Sequence, residues 1–129
     1  MQFHAADQWR VVVGGTERLE VKNSSPHVLV TGDLNSTSDA RLKENVEPIA
    51  NALSDVMQLE GVSFDWKDTG TRGHGFIAQQ VEPILPDVVQ TDEETGIKSI
   101  NYVGMIGHLV EAIKEQQKQI DALKEQLNG

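Results

Sequence analysis

Ser38 and Lys43, in the stretch STSDARLKENV at residues 36–46, are the pair of side chains in this sequence best suited to covalent chemistry. A serine hydroxyl is a weak nucleophile until a base takes its proton, and a lysine is such a base only when neutral. At its solution pKa of about 10.4, roughly one lysine in a thousand is neutral near pH 7.4, so a working dyad needs burial or nearby positive charge. Ser38 also supplies the amide nitrogen of the bond before it, so its hydroxyl can attack the Thr37 carbonyl and move the acyl group from nitrogen to oxygen. Water would then hydrolyse the ester, and the bond before Ser38 would be cut. A serine from another chain could attack instead. Composition alone favours a plainer reading of Ser38 as a helix N-cap, because Ser, Thr and Asp cluster just before an apolar periodic run. The two roles are compatible, since a helix start also presents amide N–H groups to developing negative charge.

Other residues carry less chemistry. Arg41 can orient backbone or offset charge beside the pair, and His74 in RGHGF can assist proton transfer, although a histidine in a turn usually just faces solvent. His108 falls in the final periodic segment, facing solvent or an interface. GHG lacks the Gly-Lys-Ser/Thr that a phosphate loop requires. The acidic DEET run lacks the alternating ligand spacing of a calcium loop and reads as a hairpin turn. No cysteine is present, which removes disulfides and thiolate metal sites. No metal or cofactor is expected.

Charge narrows the partners. Acidic residues outnumber basic ones 20 to 11, with residues 38–129 holding 16 and 8 of them. No clustered Lys and Arg or basic aromatic stripe is there to track a phosphate backbone, so nucleic acid is not an expected partner. There is no apolar run of about 18 residues and no basic-then-apolar leader, so a soluble chain without a membrane span is expected. Met1 precedes what reads as the middle of a longer strand-rich segment, as in a fragment with an added start. At 129 residues and 38% hydrophobic content, oligomerisation would help the fold.

Three zones position the candidate residues, and together they make an α+β chain. Residues 1–37 read as short strands broken by turns: WRVVV, ERLEV and HVLV, with Leu19 and Val21 on one face and Val28 and Val30 likewise. So few short strands bury too little to stand alone. Residues 38–102 form a mixed body. Leu42, Val46, Ile49, Leu53, Val56 and Met57 fall at helical spacing, with Pro48 setting a new first turn; GVSFDW reads as a strand, GFIAQQVEPILP as a short helix stopped at Pro83 or Pro86, and VVQTDEETGIKSINY as a hairpin. Trp66 and Phe76 are expected in the core. In residues 103–129 one long helix is expected. Tyr102, Ile106, Leu109, Ile113, Gln116, Ile120, Leu123 and Leu127 alternate by four and three, as coiled-coil core positions do, with Gln116 the polar interruption. So narrow a stripe favours burial against copies of itself, without fixing their number.

At GGTERLEV, TSDARLKENVEPI, GFIAQQVEPILPDVV and INYVGMIGHLVEAIKEQQKQIDAL the sequence resembles the intramolecular chaperone auto-processing domain that ends many phage tail spikes and tail fibres, including the endosialidase spikes. The resemblance runs over residues 38–129, with the preceding strands similar to a fibre stalk. It implies a homotrimer that helps its own upstream stalk fold, working in the bacterial host cytoplasm during assembly. Autoproteolysis would then leave the stalk in the virion and release the chaperone. It also implies that Ser38 and Lys43 are catalytic and that the scissile bond joins Thr37 to Ser38. Two other readings stay open: a non-cleaving fibre-tip cap that binds a receptor, and a plain oligomerisation module.

Overall fold

The computed structural model describes residues 2–5 and 8–129, with side chains from Gln8 onward. The chain divides into two compact units, Met1–Asn45 with Asp65–Gly73, and Val46–Phe64 with His74–Gly129.

In the first unit, β1 (Gln2–Ala5), β2 (Gln8–Val13), β3 (Thr16–Lys22) and β4 (Val28–Val30) form an antiparallel sheet in chain order. β2 and β3 are joined by Gly14 and Gly15, both at positive φ (60° and 76°), the two-residue turn whose twist suits a hairpin. The expected alternation is present: Leu19 faces Val30 and Val21 faces Val28 across the β3–β4 pair. Yet no described residue of this unit is buried, so the sheet has apolar positions without a core of its own.

The second unit holds the core. It contains α1 (Ala52–Gln58), α2 (Ala78–Val81), the antiparallel hairpin of β7 (Val89–Thr91) and β8 (Lys98–Ile100), and the 27-residue α3 (Tyr102–Asn128). Strands β5 (Val62–Asp65) and β6 (Arg72–Gly75) pair with each other, and their joining segment belongs to the first unit. Val81, Leu85, Val88 and Met105 are buried together, with Leu59, Phe76, Ile84, Val89 and Ile100 packed around them. α2 ends before Pro83, as the proline pattern predicts. Asp92 closes the β7–β8 turn by accepting the N–H groups of Glu94 and Thr95 at 2.9 and 3.0 Å. Those bonds, Thr95's first, hold its carboxyl below its ordinary value.

α3 is tied to this body at three places. α1 packs against α3, with Ala52 on the one and Ala112 on the other both buried. Glu115 accepts the Leu53 N–H at 3.3 Å, which gives α1 an N-terminal acceptor that Asn51 does not provide. At its start, Asn101 caps α3 by accepting the Gly104 N–H at 3.1 Å, and the Tyr102 hydroxyl accepts the Phe76 N–H at 3.2 Å. Gly75 lies under that ring. A Cβ there would sit 2.6 Å from the Tyr102 hydroxyl.

Three expectations are corrected. The helix expected from Leu42 onward begins only at Ala52, because Asn45 and Asn51 take left-handed φ values of 54° and 58° and Pro48 disfavours helical backbone at Glu47. Leu42 and Val46 are thus not on a helix face but 74% and 79% exposed. Trp66 is not core: it follows β5 into a turn, bonded by its N–H to the Thr71 carbonyl, and is 55% exposed. His108, expected to face solvent or an interface, is half-buried with Nδ1 3.3 Å from the Gly104 carbonyl. Among the described residues no helix is long and apolar enough to cross a membrane.

The Gly75–Tyr102 contact gives a coupled prediction. Gly75→Ala should destabilise the fold by about 1–3 kcal/mol in thermal or urea unfolding, and clearly less in a Tyr102→Phe background, where the atom it strikes is gone. Equal losses in both backgrounds would show that the close approach does not matter.

Candidate active site

The segment around Ser38 is shaped by a single 3₁₀ turn, Ala40–Leu42. The Leu42 N–H donates to the Asp39 carbonyl at 3.0 Å and the Lys43 N–H to the Ala40 carbonyl at 3.2 Å. Ser38 and Lys43 therefore leave the two ends of one tight turn. Across it, Lys43 Nζ donates to Ser38 Oγ at 2.6 Å. Five residues of separation become direct contact through local backbone geometry alone.

The cap of this turn is Asp39 rather than Ser38. Its backbone is extended, and Oδ1 accepts the Arg41 N–H at 2.8 Å, the arrangement that makes Asp and Asn good turn formers. The Arg41 guanidinium then closes on the same carboxylate, Nε to Oδ1 at 3.1 Å and the terminal nitrogen to Oδ2 at 2.9 Å. The guanidinium first, and the Arg41 N–H second, hold the Asp39 carboxyl below its ordinary value of 3.8. In return the carboxylate raises Arg41. Sequence reading singled out Arg41 without assigning its partner and passed over Asp39 altogether. An acidic residue two positions before a backbone N–H it can reach was the signal.

Ser38 Oγ and Lys43 Nζ are within hydrogen-bond distance, and the chemistry open to such a pair depends on the direction of one proton. Lys43 Nζ donates to the hydroxyl oxygen, whereas a nucleophilic serine would require a neutral amine that accepts from it. The heavy atoms are already at hydrogen-bond distance for either state. The turn buries none of its residues. Ser38, Lys43 and Thr37 are all exposed in the single chain. His74, the other expected assistant, lies exposed on β6 in the second unit, and the Ser38–Lys43 contact is complete without it.

Known proteins match the segment that contains this pair. A family described as the chaperone of endosialidase matches residues 38–90, a match that begins at Ser38 itself. The chain is similar to the long tail fiber protein Gp37 of Salmonella phage S16, 30% identical over 105 residues, and to those of Enterobacteria phages K3 and T2, each 35% identical over 99 residues. These alignments cover 74%, 70% and 70% of this chain, but only 14%, 8% and 7% of the relatives, so the chain spans a small part of the length of those fibre proteins. By its motif, its local geometry and the matched segment, the chain belongs to the chaperone-of-endosialidase family.

Proposed function

We propose that this chain is the chaperone end of a phage tail fibre, that it assembles as a homotrimer through α3, and that it then severs itself at Thr37–Ser38. The observation that carries the reading is the 2.6 Å contact between Lys43 Nζ and Ser38 Oγ at the first residue of the family match. In the reaction, neutral Lys43 takes the hydroxyl proton as Oγ attacks the Thr37 carbonyl carbon. The C–N bond breaks and the leaving Ser38 nitrogen takes the proton from Lys43. Water then adds to the resulting ester, releasing the Thr37 carboxylate and restoring the Ser38 hydroxyl.

The two faces of α3 support trimer formation. Met105 and Ala112 point into the body and are each 4% exposed. Tyr102, Ile106, Leu109, Ile113, Ile120, Leu123 and Leu127, the residues of the heptad stripe, are all exposed, as are Val103 and Val110 beside them. An apolar stripe of this length left in water calls for a partner, and the four–three spacing fits copies of the same helix. The added valines broaden the stripe in its first half, which suits more than two helices.

Assembly would also supply what the dyad lacks. Leu42 and Val46 flank Lys43 and stand exposed in the single chain; covering them with a neighbouring copy would desolvate the amine and favour its neutral form. Cleavage then follows association. For the stalk, three chains held at their ends meet at an effective concentration of about millimolar, which offsets the entropy of first pairing. Removing the chaperone afterwards leaves a fibre whose persistence is kinetic.

Denaturing mass spectrometry of the folded chain should give two pieces, 1–37 and 38–129, and only the intact mass for Ser38→Ala and Lys43→Ala, with both variants still trimeric by sedimentation. Intact wild-type trimer would instead favour a fibre-tip cap or a plain oligomerisation module. Ile113→Asp, at the centre of the exposed stripe, should shift the protein to monomer and slow cleavage at least tenfold, on the order of the cost of burying one unpaired charge. Undiminished cutting by a monomer would separate cleavage from assembly.

A further inference from the structure

The Asp39 carboxylate poses a difficulty for the dyad. It belongs to the residue next to Ser38, four positions before Lys43, and an unpaired carboxylate there would stabilise the ammonium form that the reaction has to lose. It is not unpaired. Both of its oxygens are taken by Arg41, through the backbone N–H and two guanidinium nitrogens, at 2.8 to 3.1 Å. Lys43 in turn reaches the serine rather than the acid.

We propose that the Asp39–Arg41 pair is a positioning clamp with two tasks: it fixes the turn that brings Lys43 onto Ser38, and it cancels the acidic charge beside the lysine so that the amine can serve as a base. This rests on the self-cleavage reading for its purpose, though not for its measurement. The first task is visible in the geometry, since the same Oδ1 that binds the guanidinium also holds the Arg41 N–H inside the turn. The second follows from charge. With Arg41 present, Asp39 contributes little net field at Lys43; with Arg41 removed, one negative charge is uncovered, and with Asp39 neutralised, one positive charge is.

The pair also persists where it is needed. Because the Asp39 carboxyl is held below its ordinary value, the clamp is fully made above the usual carboxylate range and is lost only as pH falls through that lowered value. Across neutral and alkaline pH, where a lysine exchanges its proton, the clamp stays closed. The other charged side chains close along the chain are Asp33, Glu44 and Glu47, and the turn buries no residue beneath another element.

The test has two arms. In the Ser38→Ala chain, which stays whole whatever the wild type does, ¹³C-labelled lysine is titrated by NMR, with Lys43→Arg to assign the signal. Relative to that parent, adding Arg41→Gln should raise the Lys43 midpoint by about one unit, and adding Asp39→Asn should lower it. In the Ser38-containing chain the cleavage–pH profile should move with the titration, so that Arg41→Gln cuts about tenfold more slowly near neutrality. Asp39→Ala should slow cutting at every pH, with Asp39→Asn, which keeps the acceptor for the Arg41 N–H, restoring it. Midpoints that do not move, or that move the same way in both variants, overturn the charge-cancelling role. Equal cutting by Asp39→Ala and wild type overturns the positioning role. A wild-type chain that never cuts overturns the self-cleavage reading, and the NMR arm still decides the charge-cancelling role.

Discussion

A hydrogen bond between an amine and a hydroxyl can run in either direction, and in the proposed self-cleavage the direction it takes at Lys43 and Ser38 decides whether the hydroxyl can attack. At 2.6 Å the two atoms need no further approach. A solvated ammonium occupies the oxygen's lone pair and protects the peptide bond; a dry amine would take the proton instead. The turn fixes distance but leaves hydration open, because none of its residues is buried among the described residues. In the proposed self-cleavage such a site would stay inert until water is excluded. In the proposed assembly, a neighbouring copy would exclude it.

The division of α3 into two faces is what makes such an arrangement mechanically possible. One side, through Met105, Ala112 and Glu115, is committed to the body: two buried apolar contacts and an acceptor for the first turn of α1. The Tyr102 hydroxyl binds its start to the backbone at Phe76. The other side carries the exposed stripe. A helix anchored by its body contacts presents that stripe with its rotation already set, so association costs less conformational entropy than it would for a free peptide. Gln116 interrupts the stripe with a polar side chain, a feature that favours one alignment over slipped ones at some cost in affinity.

Much of this was legible in the sequence because the signals were long or local. The 27-residue α3 announced itself by four–three spacing, and the β7–β8 hairpin by two short runs around an acidic, glycine-ended turn. Ser38 and Lys43, singled out by residue type and motif, are in contact. What misled was the apolar spacing from Leu42 to Met57, where helical periodicity was present but the backbone was not helical. Two asparagines in left-handed conformation and the restriction before Pro48 outweigh the pattern there. Periodicity says which residues would share a face if a helix formed; it does not say that one forms. The Asp39 cap was missed for the opposite reason, being a side-chain-to-backbone bond two residues long with no periodic trace.

The contrast between the two units suggests an order of events that neither unit dictates alone. The unit containing α3 has a buried cluster and can close around it. The strand-bearing unit, which also carries Ser38 and Lys43, buries none of its described residues, so its sheet gains little from folding in isolation. In the proposed assembly such a chain would acquire its anchored helix first and depend on association for the rest. The proposed scissile bond would then belong to the part that needs partners, and the means of gathering them to the part that does not. If the same covering that completes the sheet also dries the turn, cleavage would report that the dependent unit has found its place, and no separate sensor would be required.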